Sequence, residues 1–419
     1  MLARAAYTAL LRLATPVYLA RLWWRGRREP LYRHALLERL GFGAPAAAGR
    51  VWVHAVSLGE TLAAGPLVEA LRAQQPGLRL LLTHGTATGR AAGQALLRAG
   101  DAQAWLPYDT PGAVGRFLQA QQPAVGVLME TEVWPNLLHA AQRAGLPMVL
   151  ANARLSPRSL AKGQRLRFLL RPAVASLTRV LAQTAADAQR LHQAGALTAE
   201  VMGNLKFDLS PEPAKLDLGR QWREALQRPV VLMASSREGE ELPLLAAWLH
   251  QPTPRPLLLL VPRHPQRFDA VALLVVKAGL QLQRRSAWGE TPPAHMAQAD
   301  VWLGDSIGEM PLYYALADVA LLGGSFEPLG GHNLIEAAAC GCPLVMGPHT
   351  FNFAQAAELA LAAGAALRVG SLNAAVQRAI TLLADPGLPV WHARAQAFAA
   401  QHRGAARRLA AVVLASAAQ

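Results

Sequence analysis

The sequence predicts an α/β protein of two domains, each a parallel sheet with helices on both faces. Three observations carry this. Short apolar runs alternate with helix-like segments from about residue 50 onward. Most of these runs end in a polar or glycine-bearing turn, which is where open parallel sheets hold their ligands. A proline-rich polar stretch at 207–215 (FDLSPEPAK) interrupts the alternation near the middle of the 419 residues.

Composition fits two domains of roughly 200 residues each. Hydrophobic residues make up 52% of the chain, enough for two large cores. The formal net charge of +14 favours an anionic partner, either anionic lipid or a phosphorylated substrate. No nucleic-acid-binding motif accompanies that charge, and the basic residues are spread along the chain, which argues against nucleic acid. Cys340 and Cys342 lie two apart and have no other cysteine to pair with. They form neither a disulfide framework nor a zinc site, and a reducing cytoplasm fits.

Residues 1–24 are apolar but interrupted by Arg4, Arg12 and Arg21, and Trp23 and Trp24 lead into Arg25, Arg27 and Arg28. Tryptophans with arginines beside them are typical of a membrane border. Residues 1–28 are therefore expected to be a membrane-anchoring helix, either a marginal span or an amphipathic helix in the headgroup layer; the alternative is a helix packed on the globular body. Arg12 makes a clean span costly. The first series of strands is expected at 51–56, 78–83, 124–129, 147–152, 179–183 and 200–203, in a domain covering 29–206. A linker is expected at 207–218. A second domain, 219–419, follows with strands at 230–234, 256–261 and 301–304, and its last helix is allowed to pack back on the first domain.

The second domain's most informative stretch is 321–347, LLGGSFEPLGGHNLIEAAACGCPLVMG. It reads as strand, glycine-rich loop, helix and strand. Glycines let a backbone approach a ligand closely, and a helix start offers unpaired N–H groups to a phosphate. Glu336, one turn into the helix, suits ribose hydroxyls rather than phosphate. The alternative is a tight turn whose glycines serve packing alone. A nucleotide loop in one domain and a carboxylate turn, Ser57-Leu58-Gly59-Glu60, in the other point to a glycosyltransferase of the two-domain type (GT-B), its domains facing a cleft.

The segments HAVSLGET (54–61), ETEVWPN (130–136), NARLS (152–156), GNLKFD (203–208), PRHPQRF (262–268), GDSIGEM (304–310) and the glycine-rich stretch, in this order, resemble the 3-deoxy-D-manno-octulosonic acid (Kdo) transferases. The resemblance runs almost end to end. It implies an inverting transfer of Kdo from CMP-Kdo to the lipid A precursor (lipid IVA) in lipopolysaccharide biosynthesis, at the cytoplasmic face of the inner membrane. It implies Glu60 as proton acceptor, with Glu130 and Lys206 also in the active centre. It places CMP on Pro262, Arg263, Ile307, Gly308, Glu309, Asn333, Leu334, Ile335 and Glu336. Ser235, Ser236 and Arg237 are further donor-side candidates. Glu132 lies two residues from Glu130, and like charges so close are expected to raise one pKa. No cofactor is expected beyond the donor substrate. No metal is expected either, because the acids are not grouped as an Asp-x-Asp cluster. Two other readings are a transferase or epimerase acting on a UDP-sugar, and a basic nucleotide- or lipid-binding protein without turnover.

Overall fold

The structure, a computed structural model, describes residues 2–45, 47–208, 210–289, 292 and 298–418. The chain divides into two compact units, Met1–Leu209 with Arg403–Gln419, and Ser210–His402. Within the stretch read as linker, Leu209 lies outside the described residues, and a helix Pro213–Leu226 is already under way by residue 218.

The first unit carries β1 (Val51–His54), β2 (Leu80–His84), β3 (Ala102–Trp105), β4 (Val125–Met129), β5 (Met148–Ala153), β6 (Arg179–Ala182) and β7 (Glu200–Val201). They form one parallel sheet in the order β3-β2-β1-β4-β5-β6-β7. Strands β1, β2, β4 and β5 are buried along their whole length, as a sheet covered on both faces requires. Leu67, Leu71, Leu80 and Val127 are fully buried on one face, Trp52, Leu81 and Leu128 on the other. Each such side chain contributes about 1.5–3 kcal/mol relative to exposure. Strand order reverses between β1 and β4, the position where this topology opens a binding crevice.

The helices of this unit used below are α1 (Leu2–Arg25), α2 (Leu58–Gln74), α3 (Pro135–Arg143), α4 (Pro157–Arg165) and α5 (Arg167–Ala175). The chain ends in two helices, not one: Leu388–Gln401 belongs to the second unit, and Ala405–Ala417 packs on α2 in the first. Gly404, at φ +94°, separates them.

Of the forms expected for residues 1–28, the membrane span needs a correction. Residues 2–25 are one helix, but among the described residues no helix is long and apolar enough to cross a membrane. Arg4, Arg12, Arg21 and Arg25, together with Pro16 inside the helix, account for this. Instead α1 runs beside α3 and α5. It is pinned by polar contacts: the Tyr7 hydroxyl donates to Asp109 Oδ2 at 3.1 Å, and Thr8 exchanges hydrogen bonds with the Asn136 side chain.

The second unit carries β8 (Val230–Ser236), β9 (Leu257–Pro262), β10 (Leu282–Arg284), β11 (Val301–Leu303), β12 (Val319–Leu322), β13 (Leu344–Met346) and β14 (Ala366–Arg368). They form a parallel sheet in the order β10-β11-β9-β8-β12-β13-β14, which reverses between β8 and β12. The sequence reading had no strand for β3, β10 or β14. All three are short and lie at or next to a sheet edge, and their apolar runs are too brief to stand out.

Candidate functional site

In the first unit the polar groups gather at the carboxyl ends of β1, β4 and β5, across the reversal of strand order. Ser57 is the N-cap of α2, and its hydroxyl accepts the Glu60 N–H at 3.4 Å. The Glu60 carboxylate reaches back: Oε2 accepts the Val56 N–H at 2.7 Å and Oε1 the Ser57 hydroxyl at 3.1 Å. This is a variant of the capping box in which the carboxylate takes the N–H of Val56, the residue before the cap, rather than that of Ser57 itself. Locally, then, Glu60 stabilises the helix start, and any further role depends on its neighbours.

Those neighbours are Glu130, Glu132, Arg154 and Lys206. Glu130 follows β4 with φ +58°, a left-handed conformation that a non-glycine residue adopts at a cost. Its N–H donates to Ala151 O, and its own carbonyl accepts the Arg154 N–H, which clamps it to β5. Arg154 Nε then lies 3.1 Å from Glu130 Oε2, and Lys206 Nζ 4.0 Å from Oε1. Lys206 is brought there by a chain of side-chain bonds. Asn152, at φ +52° in the irregular end of β5, accepts the Leu205 N–H through Oδ1. Its carbonyl accepts from Gln183, which accepts from Asn204, which accepts the Lys206 N–H. Burial pulls the Lys206 pKa below its ordinary value, and Glu130 opposes that.

Glu130 and Glu132 are not in an extended segment. Residues 130–131 form a turn, and the Glu132 N–H points back to Met129 O. Even so, three carboxylates share one neighbourhood. Glu132 is pushed up to about 7, by burial first and then by the charge of Glu60, with the nearby Trp134 indole partly offsetting this and Glu130 adding to the rise. Glu60 is raised too, by burial, but the Val56 N–H, the Ser57 hydroxyl and Arg154 pull it back. Environments that push carboxyls apart assign their roles. Of the two, Glu132 is the one that titrates near neutral pH, whereas the Val56 N–H, the Ser57 hydroxyl and Arg154 favour the ionised form of Glu60, the form a proton acceptor needs. His54, fully buried, is held down to about 3 and stays neutral beneath this cluster.

The second unit places its candidates at the carboxyl ends of β8, β9, β11 and β12. Ser236 is buried and its hydroxyl donates to Glu241 Oε1, so that side chain is committed to the interior. Ser235, at φ +61°, turns the chain there. Arg237 and Arg263, with His264 and His332, form a basic cluster. Arg263 is exposed, and its N–H ties β9 to the Ser236 carbonyl at 3.0 Å. Pro262 is buried at the strand end. His332 is held down to about 4, by burial and then by Arg263 and Arg237, and is therefore neutral. Its Nε2 is buried with no hydrogen-bond partner among the described residues.

Ile307 is 81% exposed and Gly308 has φ +81°, so this turn presents main chain outward. The Glu309 carboxylate is engaged by Arg285 at 2.8 Å and by the Tyr313 hydroxyl at 3.2 Å. The helix after the glycines is short, Leu334–Ala339. Asn333 is its N-cap and accepts the Ile335 N–H. Leu334 and Ile335 are core residues, 0% and 1% exposed, so only their main chain can face a ligand. Burial raises the Glu336 pKa.

The glycines divide between the two readings. A Cβ on Gly323 would lie 2.3 Å from the Ser235 carbonyl, and one on Gly330 would lie 2.5 Å from Asn352 and Phe351. These two are required by the protein's own packing. Gly324, at φ +69°, instead borders His332 and Arg237. The loop's organiser is Glu240, which the sequence reading did not single out. It is fully buried, and its carboxylate accepts N–H groups from Arg237 (2.8 Å), Gly324 (2.9 Å) and Phe326 (3.2 Å). One side chain thereby fixes the turn after β8 against the loop after β12. The only hint in the sequence was three acids crowded at 238–241 directly after a strand.

Comparison with known proteins follows the same lines. A family model described as 3-deoxy-D-manno-octulosonic-acid transferase (kdotransferase) matches residues 34–209. A 3-deoxy-D-manno-octulosonic acid transferase of Bordetella pertussis is 51% identical over 421 residues, covering 97% of this chain and 97% of its own. Another, from Haemophilus influenzae, is 36% identical over 392 residues, covering 91% and 90%. A solved glycosyltransferase from Rickettsia africae ESF-5 is 12% identical and aligns with a TM-score of 0.58 over 88% of this chain and 99% of its own, a likeness of fold alone.

Proposed function

The chain belongs to the 3-deoxy-D-manno-octulosonic acid transferase family, and from that premise we propose that it transfers Kdo from CMP-Kdo to the lipid A precursor with inversion. Glu60 accepts the proton of the acceptor hydroxyl. The hydroxyl oxygen forms its bond to the anomeric carbon as the bond from that carbon to the CMP phosphate breaks, and CMP leaves with the electron pair. Lys206 and Arg154 hold Glu130 in place, and Lys206 supplies positive charge for the departing phosphate. In the second unit, the turn at Arg237, Arg263 and Gly324 suits phosphate. The main chain at 307–309 and 333–335 suits the base, and Glu336 the ribose.

The observation that carries this reading is the convergence of Glu60, Glu130 and Lys206 at the reversal of strand order in the first unit. A cap alone would not need Glu130 in a left-handed conformation, nor a lysine delivered by a chain of amide side chains. Turnover with CMP-Kdo but not with UDP-sugars tests the reading; turnover with a UDP-sugar alone would replace it by a different donor.

Lys206 in the first unit and the basic cluster in the second each offer positive charge to a phosphate without a metal, so full activity in excess EDTA is expected. Loss of activity in EDTA that added Mg²⁺ restores would overturn this. The cellular site is the cytoplasmic face of the inner membrane. There α1 lies in the headgroup layer, with Leu10, Leu13, Val17, Trp23 and Trp24 exposed and Arg12, Arg21 and Arg25 among them.

A further inference from the structure

Directly after β5 and Arg154 comes a segment to which neither sequence motif nor active centre assigns a task. Residues 157–175, PRSLAKGQRLRFLLRPAVA, contain five basic residues and no acidic one: Arg158, Lys162, Arg165, Arg167 and Arg171. All five are exposed. At the junction of α4 and α5, Leu166 is 58% and Phe168 75% exposed, the latter with the Arg167 guanidinium 4.9 Å from its ring centre. No side chain of α4 is buried. The junction after α4 thus carries two exposed apolar side chains flanked on both sides by exposed cations. The segment lies beside α1 through α5, and it leaves the sheet at the end where Glu60, Glu130 and Lys206 gather.

We propose that the α4–α5 junction is a second membrane-contacting element. It inserts Leu166 and Phe168 into the headgroup layer of an anionic bilayer, and Arg158, Lys162, Arg165, Arg167 and Arg171 lie against lipid phosphates. Charge complementarity selects this occupant: a segment with five exposed cations and no acidic residue of its own repels the same segment of a second copy and matches an anionic leaflet. Two apolar side chains at the tip of a basic segment fit shallow insertion rather than a span. The proposal rests on the membrane reading of α1 and adds a consequence. Contact through α1 and this junction together turns the carboxyl end of the first unit's sheet toward the leaflet that holds the lipid acceptor.

The test uses the full chain and vesicles of phosphatidylcholine with or without phosphatidylglycerol. The expected result is binding to the anionic vesicles that weakens at least ten-fold in Leu166→Ser/Phe168→Ser and in Arg158→Glu/Lys162→Glu/Arg165→Glu, with turnover on a detergent-dispersed acceptor unchanged. Full binding by both variants, with loss only in Trp23→Ser/Trp24→Ser, would overturn the junction while leaving α1 at the membrane. No vesicle binding by the parent chain would overturn both. Turnover lost equally on dispersed acceptor, with circular dichroism intact, would show that the segment grips the acceptor itself, and would also overturn the proposal.

Discussion

Glu132→Gln isolates the electrostatics of the candidate site. Glu132 is half-buried and carries a pKa of about 7 in the folded chain, against an ordinary value of 4.5. The folded state therefore takes up a proton that the unfolded state has lost between pH 4.5 and 7. Parental stability falls as pH rises through this window. At roughly 1.4 kcal/mol per pH unit the full effect is about 3 kcal/mol, and partial exposure trims it to about 2–3 kcal/mol. Glutamine mimics the protonated acid and carries no such penalty. Urea denaturation of both proteins from pH 4.5 to 8 should show nearly equal stability at the acid end, with the variant ahead by about 2–3 kcal/mol at pH 8. A difference that does not change with pH would show that Glu132 titrates normally. The division of labour between it and Glu60 would then fail.

Other substitutions separate structure from chemistry. Glu60→Gln retains an acceptor for the cap, so thermal stability should hold and CMP should still bind in calorimetry, while kcat/KM falls by about 10²–10⁴; undiminished turnover would reduce Glu60 to a cap. Lys206→Met should lower kcat by about 10²-fold or more with little change in the donor KM, and a change confined to KM would make it a binding residue. Glu240→Ala strands the N–H groups of Arg237, Gly324 and Phe326, a loss on the order of 3 kcal/mol. It should weaken CMP binding by calorimetry, and normal affinity would show that the loop holds its shape without it.

The sequence made the fold largely legible because buried parallel strands are near-continuous apolar runs and their polar punctuation falls at one end. Strands β1, β4, β5, β8, β9 and β12 were visible for that reason, whereas Glu60, Glu130 and Lys206 were singled out by the family resemblance rather than by the strand pattern. What stayed hidden depends on side-chain direction. Nothing in Ser236-Arg237-Glu238-Gly239-Glu240-Glu241 says which acid turns inward, yet Glu240 and Glu241 are both buried and only Glu240 ties the loops together. Leu334 and Ile335 sit within the segment expected to hold CMP but point to the core. Gly323 looks like a ligand-facing glycine and is needed because a neighbouring carbonyl fills its side-chain space. The N-terminal stretch showed its arginines plainly, and their consequence, a helix that rests on the unit through Tyr7 and Thr8, needed the partners Asp109 and Asn136 far along the chain.

Product mass decides the account most directly. The purified chain is incubated with CMP-Kdo and lipid IVA, and both lipid and nucleotide are analysed. The account predicts acceptor heavier by whole Kdo residues, with one CMP released for each. Acceptor left unmodified under these conditions, with a UDP-sugar consumed instead, would contradict it.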